Sequence, residues 1–408
     1  MGIRPWYTSA ELIAAVQRKI AIPLNQRTFS ENDILAFANE ELMISQVPDI
    51  MMYHEEYFVY SEDVPLVANQ ERYPIPERAM GMKLRDIYYV DTNGNIFEMT
   101  RINPDDKAYW QRESSVVNLM QKYYLENNDV VLAPFNISQP TGSLRFTYFM
   151  RPNQLVLNDR AAISEAFVKN VTVNNASLVA GDTLTIGDLV FTAVAGAPSA
   201  LEFQIGASSV LSAANLVTAI NTDGKYSASN GSSAVVAIEY DALDLEFESS
   251  NSAGMSVASS IAIRFTTDLA DHYEPGLKID FLQTKPGHKL LAKDVQLNTG
   301  SVSTDSILFD ADQIPEDFEI GDYICEQYEC IIPQIPPDLH NGLAERVGSR
   351  ILAAQGDLQG LQISVAKLGD IKRAEGTLTD NRVDGSTPKV NQRKSLLSWG
   401  RMGARRRV

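Results

Sequence analysis

The chain has 408 residues, enough for two or three domains at about 150 residues each. Hydrophobic residues make up 44% and charged residues 21%, which supports a packed core and excludes wholesale disorder. Thirty-five Lys and Arg against fifty-two Asp and Glu leave −17, which argues against a protein that coats nucleic acid over its whole surface.

The first fifty residues predict two helices. Thr8 followed by Glu11 has capping-box spacing, able to satisfy two orphan amides at a helix start. Leu12, Ile13, Val16 and Ile20 then share one helical face until Pro23 stops the run. Ser30 with Asp33 repeats the signal and leads into Ile34, Leu35, Phe37, Ala38, Leu42 and Met43, with the helix ending before Pro48. The short connection makes them an antiparallel pair.

From about residue 55 the hydrophobic period changes to two. Residues 57–60, 83–90 and 95–102 predict strands, and Asn93-Gly94 predicts a two-residue hairpin between the last two. Asn103-Pro104-Asp105 predicts a short helix carrying Tyr109 and Trp110. Strands at 123–125, 130–132 and 144–149 follow, separated by Asn127-Asn128 and by Gln139-Pro140-Thr141-Gly142, so one small, mostly antiparallel sheet is expected.

Composition shifts near Lys169. Residues 170–268 hold two basic residues, Lys225 and Arg264, against ten acidic ones, and are dense in Ala, Ser, Gly, Thr and Val. Strands are predicted at 171–173, 183–186, 189–194, 235–240 and 243–247, with one helix at 212–221 whose apolar face is Leu216, Val217 and Ile220. A self-contained β-rich module inserted into a flanking domain is expected. Beyond it, 277–282, 294–297, 306–309 and 323–327 return to strand, and Gln334-Ile335-Pro336-Pro337-Asp338 leads into helix. Leu339, Leu343, Val347, Ile351 and Leu352 form one stripe, Gly356-Asp357 turns the chain, and Leu358, Leu361, Val365, Leu368 and Ile371 form a second.

The expected fold class is therefore α+β. A helical bundle comes from residues 1–50 and 336–375, and an antiparallel β domain from 51–168 and 269–335. The inserted β-rich domain spans 169–268, and an extended basic C-terminal arm spans 376–408. The arm has the clearest charge signature: residues 389–408 carry seven basic residues and no acidic one, so the other 388 carry −24 against −17 for the whole chain. Lys389, Arg393, Lys394, Trp399, Arg401, Arg405, Arg406 and Arg407 are the candidate docking residues, with Trp399 as anchor in an acidic protein groove. Phosphate binding and a merely frayed terminus are the competing readings.

No catalytic constellation is legible. His54, His272, His288 and His340 are widely separated and lack His-Glu-x-x-His spacing, and no Walker, Gly-x-Gly-x-x-Gly or Gly-x-Ser-x-Gly sequence occurs. Cys325 and Cys330, without a second pair, are expected to pack as small apolar residues, which fits assembly in a reducing cytoplasm. Asp91-Thr92-Asn93-Gly94-Asn95 has oxygens at alternate positions, but its glycine falls too early for a calcium loop and Ile102 stands where the closing glutamate belongs. No cofactor and no metal are expected. No apolar run approaches about eighteen residues, so no membrane partner is expected either, and residues 1–6 lack a secretory pattern.

Several stretches stand out in order: Ser30-Glu31-Asn32-Asp33-Ile34-Leu35 with Asn39-Glu40-Glu41-Leu42, and Glu71-Arg72-Tyr73-Pro74-Ile75-Pro76 running into Lys83-Leu84-Arg85-Asp86-Ile87. Tyr148-Phe149-Met150-Arg151-Pro152-Asn153 and Pro315-Glu316-Asp317-Phe318 through Cys325 follow, then Ala353-Ala354-Gln355-Gly356-Asp357. Together they resemble the head-to-tail connector (adaptor) proteins of short-tailed bacteriophages. The likeness covers about 1–165 and 275–375. The stretch Ala213-Ala214-Asn215-Leu216-Val217 between strands looks like small modules of phage virion and flagellar hook-associated proteins.

The resemblance implies a structural virion protein and not an enzyme. It would form a ring, a dodecamer in the family, that joins the portal to a tail protein (nozzle or tube) and continues the channel for genomic DNA. The site would be the neck at the portal vertex, after assembly in the host cytoplasm. The arm would embrace the portal. A tail-tube, nozzle or fibre-attachment component is the alternative, and a glycan-binding role for 170–268 is a third reading.

Overall fold

The capping signals at 8–11 and 30–33 act as written in the computed structural model, which describes residues 7–20, 29–54, 56–68, 70–106, 122–133, 141–266, 269, 272–285, 287–298 and 300–379. Helix α1 (Ser9–Lys19) opens with the Thr8 hydroxyl accepting from the Glu11 amide at 3.3 Å and the Glu11 carboxylate accepting from the Thr8 amide at 2.9 Å. Helix α2 (Glu31–Glu41) repeats the device with Ser30 and Asp33, at 3.2 and 2.8 Å. Helix α2 ends before Pro48 as expected, but Pro48 does not stop the helical run. The chain passes through a π-helical turn, Leu42–Gln46, into α3 (Val47–Tyr53), with Pro48 in the first turn of α3. A first-turn amide has no intrahelical acceptor, so the proline ring removes no bond there.

The described residues divide into two compact units, one drawn from Met1–Ser45 and Pro152–Gly369, the other from Gln46–Arg151 and Asp370–Val408. In the second unit lie β1 (Val59–Pro65), β2 (Arg72–Pro74), β3 (Ala79–Val90), β4 (Ile96–Glu98) and β5 (Thr100–Arg101). They are followed by β6 (Lys122–Glu126), β7 (Asp129–Ala133) and β8 (Ser143–Met150). The single sheet expected here is two four-stranded sheets, in orders β1-β8-β3-β4 and β2-β7-β6-β5. Tyr73, Val130 and Leu132 of one and Ile87, Leu144, Phe146 and Tyr148 of the other share one buried core. Alternating strands leave each sheet one apolar face, and facing pairs of such faces keep both dry.

The hairpin between β3 and β4 is longer than Asn93-Gly94 predicts. Its last strand pair is Val90 with Ile96, and only Gly94 of the two turn residues has positive φ, +82°. The Asp91 carboxylate accepts from the amides of Asn93 and Asn95, each at 2.8 Å, and from Asn95 Nδ2 at 2.9 Å. That side chain takes over turn bonding that a tighter loop would give to backbone. Pro104–Asp106 forms a 3-10 turn, and Tyr109 and Trp110 lie outside the described residues.

The first unit continues with β9 (Gln154–Leu155), β10 (Ala162–Val173), β11 (Thr183–Ile186), β12 (Leu189–Val194) and β13 (Glu202–Gln204). Helix α4 (Ser209–Asp223) leads to β14 (Ser227–Ser229), β15 (Val235–Tyr240), β16 (Phe247–Ser249), β17 (Met255–Val257) and β18 (Ile261–Phe265). Then come β19 (Lys278–Leu282), β20 (Leu290–Gln296), β21 (Ser306–Phe309), β22 (Tyr323–Glu326) and β23 (Glu329–Cys330). The strand expected at 243–247 starts only at Phe247, because Leu245 closes a turn onto the Ala242 carbonyl at 3.1 Å.

Residue 169 falls inside β10, which is common to both sides of that position. Its first residues pair with β22, and its later ones with β15, β17 and β18. One core follows: Phe167 packs on Tyr240 and on Phe318, with ring centroids at 5.7 and 6.2 Å, and Phe318 on Phe281 at 5.0 Å. Strands β13-β12-β11-β16 form a separate sheet, and α4 buries Ser212, Ala213, Leu216 and Ile220.

Two helices complete the order, α5 (His340–Gln355) and α6 (Leu358–Thr379). Both α1 and α2 pack on α5. The predicted stripe Leu339, Leu343, Val347, Ile351 and Leu352 is buried, and Gly356 at φ +76° ends α5 in the left-handed conformation that a non-glycine residue adopts only at a cost. Helix α6 continues past residue 375 to Thr379.

Candidate functional site

Surfaces and helix contacts, not a cleft, are the features that stand out. Helix α5 is tied to the N-terminal helices by two charged contacts. Lys19 Nζ lies 2.8 Å from the Glu345 carboxylate, and Arg350 reaches Glu40 at 3.1 Å while also binding Glu41. Glu345 further accepts from Ser364 Oγ of α6 at 3.1 Å, and Ser364 lies 2.6 Å from Ser349 Oγ. Burial alone would raise the Glu345 carboxyl. The Lys19 ammonium and the Ser364 hydroxyl outweigh it and hold that carboxyl below the ordinary value. Residues more than 300 apart in sequence thus form one polar seam, for which no local signal exists.

Helix α6 contrasts with this. Among its described side chains Ser364 alone is buried. Of the predicted second stripe, Leu361, Leu368 and Ile371 are half-buried, whereas Leu358 and Val365 are 73% and 55% exposed, and Ile363 adds another 55%. Leu358 and Val365, seven residues apart on one side of the helix, form an exposed apolar face of the kind that another molecule covers. The helix leads towards the arm, but Lys389, Arg393, Lys394, Trp399, Arg401, Arg405, Arg406 and Arg407 all lie outside the described residues.

The histidines read as widely separated do not all stay apart. His288 and His340 are buried with ring centroids 5.7 Å apart. Cys325 and Cys330 are free and buried, and burial pushes both thiols up, so they pack as apolar groups. Asp280 is fully buried, but its carboxylate accepts from Asn153 Nδ2 at 2.8 Å and from the amides of Asp294 and Tyr328 at 3.1 and 3.2 Å. These bonds join β19 to β20 and to the residues just before β9 and β23, and make Asp280 a structural clamp. Among the described residues no group of three or more His, Cys, Asp or Glu could hold a metal ion, and no helix is long and apolar enough to cross a membrane.

No curated protein matches the chain. A family model described as SU10 adaptor protein matches residues 7–181, from just before the Thr8 cap of α1 to the turn after β10. That span contains three of the stretches that resemble phage adaptors, and the pieces after residue 275 lie beyond it. Over residues 7–181 the chain is thus similar to the SU10 adaptor protein family, a likeness consistent with a phage head-to-tail adaptor.

Proposed function

We propose that the chain is the subunit of a head-to-tail adaptor ring that joins the portal to the tail and continues the DNA channel. The observation that carries this reading is the adaptor family match across 7–181. The polar seam of Lys19, Glu345 and Arg350 supports it, because it binds the matched N-terminal helices to the C-terminal pair in one framework. In this reading the exposed side of α6 meets a neighbouring copy in a dodecameric ring, since a heterologous contact closes into a ring when its rotation permits. The basic arm orders on the portal by charge complementarity with an acidic groove. The acidic body lets genomic DNA slide past without adhering, as a basic lumen would retain phosphates. Specificity resides in surfaces, so no catalysis is proposed.

Truncating the chain after Thr387 tests the arm. Portal attachment should be lost while the thermal transition of the body stays where it was; undiminished attachment would sink the arm model. The nine-stranded sheet around β10 lies largely beyond the matched span and favours, as second reading, a nozzle, tube or fibre-attachment component of the tail. Such a component would bind a tail protein and ignore isolated portal.

A further inference from the structure

The start of α1 is stitched to the segment that precedes α5, and one stitch is titratable. The Tyr7 amide donates to His340 Nδ1 at 2.9 Å, and His340 Nε2 lies 3.3 Å from the Ile335 carbonyl. A nitrogen that accepts from an amide carries no hydrogen, so the ring is neutral with its hydrogen on Nε2. The next stitches cannot titrate. The Ser9 amide and hydroxyl donate to the Ile331 carbonyl at 2.7 and 3.1 Å, and the Ala10 amide donates to Asn158 Oδ1 at 3.2 Å.

Protonating His340 puts a hydrogen on Nδ1. The acceptor becomes a donor aimed at the Tyr7 N–H, and a charge appears in a site where His340 is 0% and His288 2% exposed. Among the described residues, the charged and titratable groups on the neighbouring elements are exposed or bonded elsewhere, and the buried Asp322 carboxylate accepts from the Thr284 amide at 2.8 Å. Tyr7 stands with its ring 6.3 Å from that of His340. Glu11 of α1 is exposed and accepts from the Thr8 amide, and Asp338 in the turn before α5 is exposed. On the loop carrying His288, Lys285 is paired with Glu319 and Lys289 is exposed. Burial, and then the neighbouring His288, push the His340 ring down to about 4, and burial pushes His288 to about 4 as well.

We propose that His340, packed against His288, forms an acid-sensitive latch that helps hold residues 7–9 on the Ile331–His340 segment, and that protonation frees this end of the chain and loosens α1 from α5. The opened state exposes Leu12, Ile13 and Val16, the buried face of α1.

Amide hydrogen exchange on the full chain, expressed as protection relative to intrinsic rates, tests this between about pH 6.5 and about pH 3.5. Protection of Tyr7, Ser9 and the α1 amides should fall about tenfold or more, while that of α4, whose cap at Ser208 is uncharged, stays constant. His340→Asn keeps an acceptor oxygen at the Nδ1 position and cannot titrate, so it should hold protection to within about threefold at the α1 start. Equal protection at both pH values in the native chain would overturn the latch, as would a His340→Asn variant that loses protection like the native chain. Imidazole nitrogen resonances of the native chain supply a readout independent of any variant. They should show an unprotonated His340 Nδ1 down to below about pH 5, whereas titration near the ordinary value of about 6.5 would refute the geometry.

Discussion

Helices α5 and α6 carry the same apolar spacing and end in different surroundings. Helix α5 buries Leu343, Ala344, Val347, Ile351 and Leu352, and takes Glu345 and Arg346 inside with them. The longer α6 leaves Leu358 and Val365 in solvent. An apolar stripe states that a helix wants a partner, not which molecule supplies it. For α5 the partners are α1 and α2 of the same chain. For α6, in the account proposed above, a second copy supplies one.

The widest gap between the two helices should appear on truncation of their stripes. Leu343→Ala, at a fully buried site, should cost about 2–5 kcal/mol in urea unfolding. Leu358→Ala should stay within about 0.5 kcal/mol and weaken assembly instead. Equal costs would show that the α6 face is covered within the isolated chain.

Next in size is the seam that fixes α1 to α5. Glu345→Gln removes the partner of Lys19 and should cost about 1–3 kcal/mol. The sign with pH follows from the depressed Glu345 carboxyl. Its contribution is present above the ordinary carboxylate value and is lost as pH falls through the lower folded value. Acid titration of stability should therefore be steeper in the native chain than in Glu345→Gln below about pH 4.5.

The buried histidines act in a higher window. An unfolded chain binds protons below about 6.5 that the native rings refuse until about 4, so stability declines as pH falls between those values. The slope should reach about 1.4 kcal/mol per pH unit for each ring, and His340→Asn should flatten it. Smallest is Gly348→Ala on the α1-facing side of α5. The added Cβ would lie 3.1 Å from Ile20 Cγ2, a side-chain end at the last turn of α1 that can shift, so the change should stay below about 1 kcal/mol.

Local devices were the legible ones. The Thr8–Glu11 and Ser30–Asp33 caps, the strands at 189–194 and 235–240 and the left-handed stop at Gly356 each depend on neighbours in sequence. What failed was non-local or conditional. Pro48 reads as a stop unless a new helix starts around it, and alternating strands do not say how many sheets they divide into. The meeting of His288 with His340, and of Arg350 with Glu40 and Glu41, exists only after the chain closes on itself. The proposed partner surface was half legible: the α6 stripe could be read from spacing, its exposure could not.

The most direct test of the adaptor reading is mass by light scattering of the purified chain, alone and then mixed with the portal ring of its phage. The account predicts a chain that joins the portal at a fixed ratio of copies and closes a ring there. A chain that ignores the portal, or that polymerises alone into long tubes, would contradict it and favour the tail-tube reading.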